Sequence, residues 1–459
     1  MQKEYFRTRT RSCFLKHTTT LDIPTIMAYN DDEFAAFIEE MEEDEDEDEE
    51  DDSYLVMLNV LYLRLKDKRS IKYKHNRINW NEHVEMLHHT GEFEFQRRYH
   101  MTEESFNKLV EMLREDLMID IVQSMRASGG NPPILPELVV ACGLRSLGGV
   151  KRTEVADIFG MSITSAHRIL HKFLDTVSRS PQLAIKIPTT PEELKKCADD
   201  WNELSGAFGL YYGAVGAIDG WLACMNSPRV TDASNQTDFF SGHYQRYGLN
   251  IQAVCDANLR FIYFAVASPG KTNDLRAFGR CEKLQRWLHN LPNEYFLVGD
   301  NAYTLSNDML VPFSGSQKQN EYNRSYNFYL SQLRIRIEMA FGRLTSKWRI
   351  FRKNLDYSLE TNSKICVVAA RLHNYVIDND RLDFRTSPDS NTSMQISEFG
   401  VESLPDGPEN NIGYLPSNTD EDQGGVESSD RRNGILVGIR QRQLLRPEHN
   451  LLRNGDVDI

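Results

Sequence analysis

The spacing of apolar and polar positions changes period once along this chain. From "MTEESFNKLVEMLRE" to about residue 178 the pattern is helical. Thr102 is placed to cap the first of these helices, and Phe106, Leu109, Val110 and Leu113 recur at the three-to-four spacing of a buried stripe. "LPELVVACGLRSLGG", "TEVADIFGM" and "SITSAHRILHKFLDTV" read as three more helices. The last two are joined by a tight Gly160-Met161-Ser162 turn, which is helix-turn-helix spacing. In the last helix Ala166, Ile169, Leu170 and Phe173 are predicted to face the core. Thr164, Ser165, His167, Arg168, His171 and Lys172 are left facing outward. Such a face could enter a major groove or grip phosphates; the alternative is a plain solvated surface, since many helix pairs with a glycine turn bind nothing.

From about residue 215 the period shortens to two. "YGAVGAID", "YGLNIQAVCDA", "RFIYFAVAS" and "YFLVGDNAY" read as strands, the middle two forming a hairpin around Asp256-Ala257-Asn258. A helical stretch over residues 274–288 precedes the last strand. "SYNFYLSQLRIRIEMAFGRLTSKWRIF" follows it as one long amphipathic helix. Strands followed by helices predict an α/β domain with a mixed sheet flanked by helices, placed after an all-α domain.

Composition changes this picture at the ends. The 459-residue chain carries a net charge of −14, but residues 31–52 hold 16 acids and no base. Without them the chain stands at about +2, and residues 53–384 alone at about +5. The folded part is therefore mildly basic. The acidic tract is either a solvated arm or a shield for a basic surface. Residues 1–52 are expected to be disordered, 53–180 to form the helical domain, 201–384 the α/β domain, and 385–459 a mostly disordered tail. Within that tail "GILVGIRQRQLLRPEHNLLRN" regains apolar spacing and predicts a short helix. The seven cysteines are scattered without a CxxC pair, which argues against a disulfide framework or zinc ribbon and for a reducing compartment. No apolar run approaches the roughly 20 residues a bilayer span needs, so neither a membrane role nor a membrane partner is expected.

The candidate chemistry lies in three acids. "GAVGAIDG" and "YFLVGDNAY" both run apolar into a single carboxylate, Asp219 and Asp300, and functional groups of α/β folds gather at strand ends. Glu338 interrupts the long helix among Ile335, Ile337, Ala340 and Phe341. Three converging carboxylates need a cation, and an all-oxygen donor set favours Mg²⁺ or Mn²⁺. Two such ions could activate an attacking oxygen and steady the leaving oxygen of a phosphodiester. Each acid also has an ordinary reading: Asp219 in a turn, Asp300 as a cap, Glu338 as the partner of Arg334 one turn earlier. Arg343, Lys347, Trp348, Arg349, Arg352 and Lys353, on and beyond the Glu338 helix, could meet a phosphate backbone or simply complement the helix end. Histidines 83, 88, 89 and 100 match no zinc spacing.

"CADDWNELSGAFGLYYGAVGAIDG", "SGHYQRYGLNIQAVCDANLRFIYFAVASPGKTNDLRAF", "YFLVGDNAYTL" and "YNFYLSQLRIRIEMAFGRLTSKWRIF" resemble, in order, the blocks of PIF/Harbinger-type DDE transposases and their domesticated nuclease relatives. "YHMTEESFNKLVEML" and the helices after it resemble the family's preceding region. The resemblance implies an RNase H-like fold and an Asp219, Asp300, Glu338 triad that is both catalytic and metal-binding, with two divalent ions. It implies cutting of double-stranded DNA and joining of 3′-hydroxyls to a target; the alternatives are a domesticated host nuclease and a catalytically silent DNA-binding adaptor protein. It also implies a nuclear location, a Myb-like accessory protein and a homo-oligomer. Arg334 matches the family's arginine before the glutamate, and Asp274 matches a recurrent aspartate of second-shell or structural role. Two departures stand out. Trp221-Leu222 replaces the usual Thr-His after the first Asp-Gly, and Thr345 stands where a lysine commonly follows the leucine.

Overall fold

In the computed structural model the described residues are 77–118, 133–380 and 429–446. The acidic arm, the start of the expected helical domain and most of the expected tail lie outside them. They comprise twelve helices and six strands: α1 (Trp80–Thr90), α2 (Glu94–Tyr99), α3 (Glu103–Leu117), α4 (Pro136–Leu147), α5 (Arg152–Ile158), α6 (Ile163–Arg179), α7 (Pro191–Leu204), β1 (Ala214–Cys224), β2 (Phe240–Ser241), β3 (Arg246–Cys255), β4 (Phe261–Pro269), α8 (Asp274–Gly279), α9 (Glu282–His289), β5 (Phe296–Val298), β6 (Met309–Leu310), α10 (Glu321–Lys347), α11 (Leu359–Asn379) and α12 (Asp430–Gln441).

The helices begin where side-chain oxygens can accept the free N–H groups of a first turn. Thr102 accepts from Ser105 N at 3.2 Å, and Ser162 accepts from Ser165 N at 3.1 Å. The predicted stripes of α3 and α6 are buried. Gly143 of α4 leaves the space into which Phe173 of α6 packs: a Cβ there would lie 2.2 Å from the Phe173 ring, which is fully buried. Gly143→Ala is accordingly expected to lower stability by about 1–3 kcal/mol despite alanine's better helix propensity, as read from urea denaturation.

The sheet is mixed. β3 is antiparallel to β1 on one side and β4 on the other, β2 extends the start of β3, and β5 and β6 run parallel to β1. Alternation along the strands divides the core into two faces. Ala217, Ile251, Ala253, Phe296 and Val298 join the large cluster that contains α10, α11 and the N-terminal helices. Ile218, Val254 and Leu297 join a smaller one with Leu194 and Ala198 of α7, and Cys281 and Leu284 on the far side. The hairpin after β3 is closed by Asp256, whose Oδ1 accepts from Asn258 N and Arg260 N, both at 2.9 Å, as turn chemistry requires.

The N-terminal helices and the sheet share one continuous core, tied together by α11. Tyr375 donates to Ser105 O at 2.7 Å, Arg371 to Val177 O and Ser180 O at 3.0 Å, and Asn374 clasps the backbone of Phe261. α12, within the stretch read as a tail, docks against β5 and α10. Ile435 and Ile439 are buried, and Arg431, Arg432 and Arg440 lie over the rings of Phe296, Phe313 and Tyr322. The six described cysteines are free thiols. Among the described residues no helix is long and apolar enough to cross a membrane.

Candidate active site

The strand register explains why Asp219 and Asp300 meet. Ala217 of β1 pairs with Val298 of the parallel β5, so the residues two further on, Asp219 and Asp300, stand side by side on the face covered by α10. Asp300 follows the end of β5, as expected. Asp219 does not end its strand: β1 continues to Cys224, with Asp219 opposite Ala253 and Trp221 opposite Ile251. The Asp-Gly pair reads as a turn, but eight residues of pairing with β3 hold the segment extended. Trp221, which replaces the family's threonine, packs against Phe341 and Phe351 at ring distances of 5.6 and 5.2 Å.

Both aspartates are half-buried and each has one oxygen fixed by a nearby backbone amide. Asp219 Oδ1 accepts from Gly220 N at 2.8 Å, and Asp300 Oδ1 from Ala302 N at 2.9 Å. The Asp219 carboxyl is pushed up to about 7, first by burial and then by the charge of Asp300, with the Gly220 amide and Arg334 opposing. Two adjacent carboxylates in a partly dry cleft, each with an oxygen left over, form a donor set suited to a hard divalent cation.

Asp274 approaches from the other face of the sheet. A Cβ on Gly220 would lie 2.0 Å from Asp274 Oδ1, and Gly220 points opposite to Asp219. That oxygen accepts from Asn250 Nδ2 at 3.0 Å and Gln252 Nε2 at 3.1 Å. Gln252, fully buried, in turn accepts from Tyr303 at 2.8 Å. Asp274 is therefore braced behind the first carboxylate. Asn250, Gln252 and Tyr303 went unassigned at the level of sequence. The signal was there: two amides at i and i+2 of an apolar strand share one face.

Glu338 is on the α10 face but not with the aspartates. It is more than half exposed, and its Oε1 takes Arg334 Nη2 at 3.3 Å. Among the described residues no three acids, histidines or cysteines are gathered closely enough to hold a metal. The structure thus brings together two of the three predicted ligands.

Of the residues assigned to DNA, Thr164, Arg168 and Arg349 are exposed, while Ser165, His167, His171 and Arg343 are half-buried. His167 lies 3.3 Å from Arg152 and its ring 4.4 Å from that of His171. Three of these residues find partners or burial within the protein. Lys347 donates to His100 O at 2.9 Å, and burial lowers its ammonium to about 8. Trp348 is fully buried beside His100. Lys172 donates to Leu117 O at 3.0 Å. Each looked solvated because helix periodicity alone does not show that a second layer of helices packs against that side.

Residues 218–374 match the family described as DDE superfamily endonuclease. The chain is 26% identical over 321 residues to "Protein ALP1-like" of Arabidopsis thaliana, covering 66% of this chain and 74% of the relative. It is 22% and 23% identical over 255 residues to "Putative nuclease HARBI1" of Rattus norvegicus and Mus musculus, covering 55% of this chain and 69% of each relative. No solved structure matches.

Proposed function

We propose that this chain, a Harbinger-derived DDE transposase or domesticated nuclease, cuts double-stranded DNA with Asp219, Asp300 and Glu338 as the ligands of divalent cations. The observation that carries this reading is the register that sets Asp219 beside Asp300 on one face of the sheet. Mg²⁺ or Mn²⁺, when bound there, would lower the pKa of an attacking water and stabilise charge on the leaving oxygen. The residues' part is positional. The Gly220 and Ala302 amides hold one oxygen of each aspartate, so the second oxygen is left toward the cleft. Asp274, braced by Asn250 and Gln252, keeps the backbone at Gly220 from shifting. Trp221, wedged against Phe341 and Phe351, closes one side to water.

In the transposase form of this reading, the 3′-hydroxyl freed by the first cut attacks a phosphodiester of the target, forming one bond and breaking another at the same site. Thr164 and Arg168 on α6, and Arg349 after α10, are the exposed side chains proposed to grip the phosphate backbone.

The test is nicking of supercoiled plasmid by the full-length protein in Mg²⁺ or Mn²⁺, with EDTA as control. The full chain is required because ending it near residue 384 would remove α12 and uncover Phe296 and Phe313. Gly220→Ala supplies an independent check. Its methyl must displace the Asp274 carboxylate, so the nicking rate per folded molecule is expected to fall roughly 10–100-fold, the usual cost of disturbing a group behind a ligand, and the melting temperature to fall as Asn250 and Gln252 lose their acceptor.

A further inference from the structure

Glu338 and Arg334 form a pair whose surroundings do not suit a purely structural ion pair. The guanidinium is only 22% exposed while the carboxylate is 56% exposed. Arg334 Nε is buried without a hydrogen-bond partner, so the pair leaves a donor unsatisfied. The order is also the weaker one for an i,i+4 pair, with the cation nearer the helix N-terminus than the anion. Such a contact contributes little to stability and is readily exchanged. Its cation nevertheless has a second negative neighbour, because the Arg334 charge acts on Asp219 as well.

We infer that Arg334 is a positioning residue that holds Glu338 away from Asp219 and Asp300, serving as its counter-cation until a divalent ion takes the carboxylate from it. The inference rests on the reading of these acids as metal ligands. A cation held by the two aspartates competes with the guanidinium for the Glu338 carboxylate. Glu338 is then released to turn toward the ion by a side-chain rotation on an exposed stretch of α10, without movement of the helix. The strength of Mn²⁺ binding is therefore set by competition between the ion and Arg334 for the Glu338 carboxylate, and removing the competitor should tighten it.

The experiment is calorimetric titration of the full-length protein with Mn²⁺ in the absence of DNA. Wild type, Arg334→Gln, Arg334→Lys, Glu338→Gln and the Arg334→Gln/Glu338→Gln double variant are compared, with thermal melts to verify folding. Arg334→Gln is expected to bind Mn²⁺ about tenfold more tightly than wild type, a typical size for coupling between neighbouring sites. Arg334→Lys, which keeps the charge, should stay near wild type and guards against a folding artefact of the glutamine variant. In the Glu338→Gln background the gain from Arg334→Gln should largely vanish, because the carboxylate being withheld is gone. A gain that persists there would reflect general electrostatics and overturn the inference, as would unchanged or weaker binding by Arg334→Gln. If wild type binds Mn²⁺ no better than an Asp219→Asn/Asp300→Asn protein, the metal site itself is refuted and this inference falls with it.

Discussion

Asp300→Asn is expected to abolish Mg²⁺- and Mn²⁺-dependent plasmid nicking, a loss on the order of 10³-fold or more, while leaving the protein folded and at least as stable in EDTA as wild type. The amide is nearly isosteric and keeps an oxygen to accept the Ala302 N–H that now goes to Asp300 Oδ1. It removes the charge that, after burial, most raises the Asp219 carboxyl. The sign follows from that shift. An acid at about 7 in the fold and 3.8 unfolded contributes most below 3.8 and loses that contribution as pH rises toward 7. Relieving the repulsion should therefore raise the melting temperature most at pH 7 and above. A structural aspartate would behave differently, since its loss would lower stability and activity together. A variant that melts later than wild type yet cannot nick DNA identifies a carboxylate kept for chemistry at the expense of stability. Unchanged nicking by a folded Asp300→Asn protein would refute the proposed site.

Local patterns were legible in the sequence where one element's own physics decides them. Thr102 caps α3 because its hydroxyl reaches the Ser105 amide. The core stripe of α6 follows from helical period, and the acid after "YFLVG" follows from a short buried strand that must end. What the sequence left open depends on other elements. Asp219-Gly220 looks like a turn until β3 is placed alongside and extends β1 by five residues. Glu338 has the spacing of a ligand, but its contact is the arginine one turn away. α12 reads as a tail helix because only the rings of Phe296, Phe313 and Tyr322 give its arginines something to cover.

Trp348→Ala is expected to be the most damaging single truncation at the junction between the N-terminal helices and α10. The side chain is fully buried where α10 ends, its ring 5.7 Å from that of His100. One residue earlier, Lys347 is anchored to the His100 carbonyl. Removing so large a group leaves a cavity between two layers that cannot collapse independently, at a cost of about 3–5 kcal/mol. Against a typical total of about 5–15 kcal/mol, that is enough to unfold much of the population at 37 °C. Trp348→Phe should cost much less than its volume change suggests, because the indole Nε1 is buried with no hydrogen-bond partner and its removal relieves an unsatisfied donor. Urea unfolding followed by far-UV circular dichroism tests both. Because the two layers share one core, the wild-type helices and sheet should unfold in a single transition, shifted far to lower urea by alanine and little by phenylalanine. The phenylalanine variant should also nick and bind DNA like wild type. If it stays folded but loses DNA binding, Trp348 is a DNA contact after all, and its burial in the resting protein would have to be undone when DNA arrives.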